Sequence, residues 1–310
     1  MLQKTVKSIV LALVATCTFW SQAMAQNGAQ DVVVWETTAK GYKSSWVVVD
    51  GDSVRTIATR EEAVISDGTR LWAARISTRS IPMYPCEMLD DENLKAKPDG
   101  HFDYPSLSLL ELTGEAKAKV LEGWGKDTYF GEVWSNKIRL TGSFGPHLLI
   151  DHVDTSYTCG AHGSDDSKMF VYNAVSGSAP AAETFIKDLA KANREAVPEL
   201  LEEVKAEECY EEEMSENSIF IDGLTISANK GEIFAAATYL HPTGASWAFN
   251  CTISNDHILA EDEMTPQVAA SVAAKAALKT LKFKGDVGYS NVNLKGPARA
   301  AALAAFKTKS

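Results

Sequence analysis

The chain has 310 residues, 45% hydrophobic and 23% charged, with a formal net charge of −11. Such apolar content supports a sizeable core and excludes a wholly disordered chain. The negative balance disfavours nucleic acid and anionic lipid as partners and favours basic ones.

Lys4 and Lys7 precede an uncharged apolar run from Ser8 to Phe19, and Ala23-Met24-Ala25 sets small residues before Gln26. This is the pattern of a secretory signal peptide over residues 1–25. The run is about a dozen residues, whereas a membrane-crossing helix needs about 20. A cleaved signal is therefore expected, with the mature protein periplasmic or secreted and without a transmembrane segment. Val14-Ala15-Thr16-Cys17 leaves a lipoprotein anchored at Cys17 as a minor alternative. Loss of Lys4 and Lys7 takes the mature charge to −13.

Four cysteines then remain: Cys86, Cys159, Cys209 and Cys251. An even number in an exported chain implies two disulfides. Three pairings are open, and Cys86–Cys159 with Cys209–Cys251 is the one taken. No two of these cysteines have the short spacing of zinc motifs, so no metal site is expected.

Residues 31 to about 80 read as short antiparallel strands, with a turn at Asp50-Gly51. Residues 80–106 carry Pro82, Pro85, Pro98, Gly100 and Pro105 and read as a loop that Cys86 would tie down. A short helix is expected from Gly114 to Glu122 and further strands from Phe130 to Tyr172. The stripe Phe185, Leu189, Ala192, Ala196, Leu200 predicts a helix over 181–208, bent or split at Pro198. Residues 199–216 hold nine glutamates and one lysine. Glutamates repeated along a helix point around its axis, so this segment reads as a solvated face rather than a cation site. Strands follow at Ser218–Ile221, Leu224–Ile226, Ile233–Leu240 and Trp247–Ile253. Thr265-Pro266 opens an Ala-rich helix to about Leu281, and a last helix spans Pro297 to Phe306. The expected fold is α+β, predominantly antiparallel sheet with a few packed helices, stabilised by disulfides. A β-rich region over 26–145 and an α+β region over 146–310 follow the signal.

The most distinctive stretch is Ser156-Tyr-Thr-Cys-Gly-Ala-His-Gly163, a strand entering a glycine-flanked turn. His162 there can serve as a general base or a ligand, or can bond the backbone of its own turn. Asp154 and Asp165 lie close enough in sequence to orient it, and Tyr157 with His162 are the candidate binding residues. Neither a nucleophile elbow, a zinc-protease helix nor a phosphate loop occurs, so no cofactor is expected and catalysis is the less favoured reading.

Tyr157 to Gly163, with Met169-Phe-Val-Tyr-Asn173, Gly177 and Glu183-Thr184-Phe185, resembles the central motif of the RsiV-like C-terminal domain family. The resemblance covers roughly residues 148–265, and Cys159 stands where the family pattern has glycine. It implies an extracytoplasmic α+β module that binds protein or glycan. The anti-sigma and deacetylase roles of some relatives do not carry over, because the segments and metal motif they need are not found. The expected function is a non-catalytic envelope binding module for a basic, lysozyme-like protein or cell-wall glycan. The alternatives are an envelope-polymer hydrolase using His162 with Asp165 or Asp154, and a purely structural envelope protein.

Overall fold

The structure is a computed structural model that describes residues 29–88, 97–122, 128–157, 159, 164–165, 168–206, 219–245 and 250–308. Three strands open it: β1 (Gln30–Thr38), β2 (Gly41–Asp50) and β3 (Ser53–Arg60), paired antiparallel in order. The run Val32-Val-Val-Trp35 is buried on both faces of β1. Period-two alternation sends Val33 and Trp35 to one side and Val32 and Val34 to the other, so the continuous apolar run marks a central strand.

A smaller five-stranded sheet follows. It contains β4 (Ala63–Ser66), β5 (Leu71–Tyr84), β6 (Gly100–Glu111), β7 (Lys117–Leu121) and β8 (Tyr129–Phe130). Here the chain departs from the expected loop and helix. β5 and β6 form a long antiparallel ladder from Trp72↔Glu111 to Met83↔Gly100, taking in Pro82 and Pro105. Proline is tolerated there because Pro105 precedes the β6–β7 pairing at 107–110, and Pro82 falls between the pairings of β5 with β4 at 71–74 and with β8 at 83–84. Residues 117–121, expected to be helical, form β7. Pairing with β6 overrides the helix propensity of alanine and lysine.

The chain then returns to the large sheet through β9 (Glu132–Phe144), β10 (His147–Tyr157), β11 (Ser164–Asp165) and β12 (Lys168–Asn173). β13 (Phe220–Asn229), β14 (Glu232–Ala245), β15 (Asn250–Ile258) and β16 (Gly285–Val292) bring it to eleven strands. Asp222-Gly223, expected to be a turn, is instead a register shift inside β13. β16 pairs with β1 along one edge. Its other edge is shared, antiparallel with β13 at 285–286 and parallel with β9 at 288–289. The sheet is therefore mixed and forks at β16, and strands from both sides of residue 145 contribute to it.

Three α-helices complete the described fold: α1 (Leu189–Ala206), α2 (Pro266–Ala277) and α3 (Gly296–Lys307). α1 begins later than expected, since a single 3-10 turn (Ala182–Phe185) precedes it. Asp188 starts it by accepting a bond from the Lys191 amide at 2.9 Å. Pro198 does not split it. α1 and α2 bury Ala192, Ala196, Leu200 and Val268 against one face of the large sheet. A side chain such as Leu200 contributes about 2 kcal/mol by leaving water. The opposite face meets the small sheet through Trp35, Leu107, Leu109, Leu148 and Ile150. α3 packs on that same side, with Phe306 edge-on to Trp46 at 5.6 Å between ring centres. Arg60 donates to the carbonyls of Ala305 and Thr308 at its C-terminal end.

Cys86 and Cys159 are bonded, with Cα atoms 5.1 Å apart. The bridge ties the 3-10 turn Cys86–Met88 to the end of β10, as expected. Cys209 and the side chain of Cys251 lie outside the described residues. The described fold is α+β, largely antiparallel, with a disulfide.

Candidate functional site

Two regions compete for a functional role. The first is the end of β10 that the sequence singles out. Tyr157 is the last residue of β10 and stands opposite Glu132. Asp154 stands opposite Asn136, and Asp165 on β11 opposite Thr155. Cys159 beyond β10 has a positive φ of 50° and carries the disulfide, which anchors this turn to the small sheet. His162 lies outside the described residues. Nearby, burial raises the pKa of Asp151, although Arg139 pairs with it at 3.2 Å. Two cavities among the described residues lie elsewhere. One of ≈ 250 Å³ is lined by Phe144, His147, Ser271, Tyr289 and Asn291, and one of ≈ 170 Å³ by Trp35, Lys43 and Phe283 among others.

The second region lies where α1 crosses β15. The apolar stripe of α1 faces the sheet, which leaves Glu195, Glu199 and Glu203 exposed on one ridge at four-residue spacing. The helix passes over β15: Asn255 donates to Glu203 at 3.3 Å, and about two turns earlier the ligand-type atoms of Glu195 and His257 lie within 4.8 Å of each other. Like charges four apart each cost a few tenths of a kcal/mol. Glu202 and Glu203 also sit towards the helix C-terminus, the negative pole of the backbone dipole. Lys205 is the basic residue of that last turn, and it bonds Glu202 at 3.1 Å.

The turn after β15 brings in Glu263. Its backbone is held by Lys187, which donates to the Glu263 carbonyl at 2.6 Å, and by a bridge between Ile186 and Met264. Its carboxylate is fully buried, and Oε2 accepts from the Ala260 amide at 2.7 Å and meets His257 Nε2 at 3.3 Å. Oε1 has no hydrogen-bond partner among the described residues and lies 3.8 Å from the ammonium of Lys191, which itself bonds Asp262 at 2.8 Å. The buried negative charge reaches its neighbours. Burial, then the charges of Glu263 and Glu183, push the Tyr239 hydroxyl up to about 12. That hydroxyl donates to Asn193 at 2.9 Å.

No protein-family model, curated protein or solved structure matches the chain. The sequence reading picked out the glutamates of α1 from Glu199 onward, as a solvated face, and missed Glu195 as well as His257 and Glu263. Those two are six residues apart, separated by a strand end and a turn, and meet Glu195 only through tertiary packing. No motif spacing could have joined them.

Proposed function

We propose that this protein is an exported, non-catalytic binding module of the cell envelope, whose acidic face on α1 takes a basic protein of the lysozyme type. The observation that carries this reading is the ridge of Glu195, Glu199 and Glu203, which sets like charges side by side and runs towards the unfavourable pole of its helix. Local stability is spent there, and an approaching cationic surface would recover it. In sequence the glutamates continue to Glu216, so residues 199–216 carry −8 of the −13 expected for the mature chain. Concentrated charge of one sign speeds encounter with a partner of the opposite sign and fixes its orientation. The resemblance to the RsiV-like family and the Cys86–Cys159 crosslink support the extracytoplasmic part of the reading.

Retention of the mature protein on an immobilised basic muramidase is the test, run at about 50 mM and about 300 mM salt, spanning the range where screening becomes strong. Binding should weaken at the higher salt and fall further in the double variant Glu199→Gln, Glu203→Gln. No retention at either salt overturns the reading. Retention unaffected by the double variant removes α1 from it.

A further inference from the structure

We infer that Glu195, His257 and Glu263 form a binding site for one divalent transition metal ion of the zinc type. The donor atoms of the three residues all lie within 4.8 Å of one another. Zinc holds nitrogen and oxygen ligands at about 2.0–2.2 Å, which puts neighbouring ligands about 3.4 Å apart in a tetrahedron. His257 Nε2 and Glu263 Oε2 are already 3.3 Å apart, one edge of that figure. Glu195 is exposed on a flexible side chain and needs to swing inward by little more than an ångström, comparing that edge with the present 4.8 Å limit.

Glu263 supplies the independent argument. Its side chain is 0% exposed, yet Oε1 has no hydrogen-bond partner among the described residues. A buried carboxylate with an unsatisfied oxygen is costly unless a cation compensates it. Lys191 does so only at 3.8 Å and is shared with Asp262. A dication bound at Oε2 beside His257 would neutralise the carboxylate as a whole, leaving Oε1 on its Lys191 side with less charge to compensate. The Ala260 amide already bonded to Oε2 would then hold the ligand oxygen in place, the usual task of groups behind a metal ligand. Two carboxylates balance the two positive charges. One imidazole with two carboxylates favours zinc over calcium, which takes six to eight oxygens. Three protein ligands leave a position open on the solvent side, where Glu195 is exposed.

The site shares Glu195 with the acidic ridge but does not depend on a protein partner, and its test uses metal alone. The mature, disulfide-intact protein is stripped with a chelator and titrated with Zn²⁺ by calorimetry, and with Co²⁺ by visible absorption. One ion should bind, and Glu195→Gln and His257→Ala should each weaken it at least about tenfold. Lys191→Met removes the competing ammonium and should tighten binding. Glu195→Gln alters an exposed side chain, so its result does not depend on the fold surviving loss of a buried group. Absence of saturable binding up to about 100 µM Zn²⁺, weaker than about −5.5 kcal/mol, overturns the site. So does binding that neither Glu195→Gln nor His257→Ala changes, since the ion would then be held elsewhere.

Discussion

Trp35 and Gly288 stand directly opposite each other on β1 and β16, and the indole of Trp35 covers the glycine. Its Nε1 reaches over to donate to Ser143 Oγ at 2.9 Å, on the strand beyond. A Cβ at position 288 would overlap both the indole ring and the serine hydroxyl. One glycine thus lets a single tryptophan link three strands at the fork of the sheet.

Gly288→Ala must displace a fully buried tryptophan and break its hydrogen bond. Overpacking of this kind costs about 1–3 kcal/mol, and the lost bond adds about 1. Urea denaturation should show a lower midpoint with an unchanged slope.

Lys275 on α2 is buried against the sheet, where its amine donates to the Ser143 carbonyl at 2.9 Å. Burial holds its pKa well below the ordinary 10.5. The unfolded chain then binds more protons than the folded one at pH values between the lowered pKa and 10.5, so stability rises with pH across that window. Lys275→Met should flatten this rise in denaturation profiles taken at a series of pH values. A variant profile as steep as the wild type would mean that the amine does not titrate differently on folding.

Asp31 receives two bonds from Arg299 on α3 and one from the Trp46 indole at 3.0 Å. Burial alone would raise its pKa, but those bonds outweigh it and leave the carboxyl below its ordinary value. The pairing therefore stabilises above about pH 4 and is lost as pH falls through the lowered value. Asp31→Asn should cost about 1 kcal/mol at neutral pH, a modest figure because Arg299 is partly exposed. The gap to wild type should close towards about pH 2. Thermal melts at both pH values check it.

The Cys86–Cys159 bond closes a loop with a sequence separation of 73. Chain-entropy reasoning gives about 4 kcal/mol for a loop of this size, and removal of native bridges commonly costs about 2–5. The paired variant Cys86→Ser, Cys159→Ser should melt well below the oxidised wild type. Reductant should lower the wild type towards the variant and leave the variant's response to this bridge at zero.

Much of the fold was legible wherever local chemistry and tertiary packing agreed. The valine-rich β1 and β2, the turn at Asp50-Gly51 and the proline-opened α2 needed no distant partner to be recognised. Legibility failed where pairing overrode local preference. Pro82 and Pro105 looked like loop residues because nothing in the sequence says which strand edge is left without a neighbour. Lys117–Leu121 has helical composition, and only β6 makes it a strand. Asp222-Gly223 looked like a turn, but Gly223 lies so close to Met169 that a Cβ there would clash, and Asp222 accepts from the Met169 amide at 3.0 Å. The α1–β15 cluster was harder still, because a helix, a strand and a turn each contribute one ligand-type residue.

The register Asp31↔Val292 joins residues more than 250 positions apart, at the heart of the larger sheet. One flank of β1 has to wait for its neighbour until Gly285–Val292 has been made. Ribosomal synthesis runs from the amino end, so the nascent protein cannot lock shut early, and loop closure on this scale makes for slow folding. The export proposed above, if it takes the chain unfolded, would gain time from that delay.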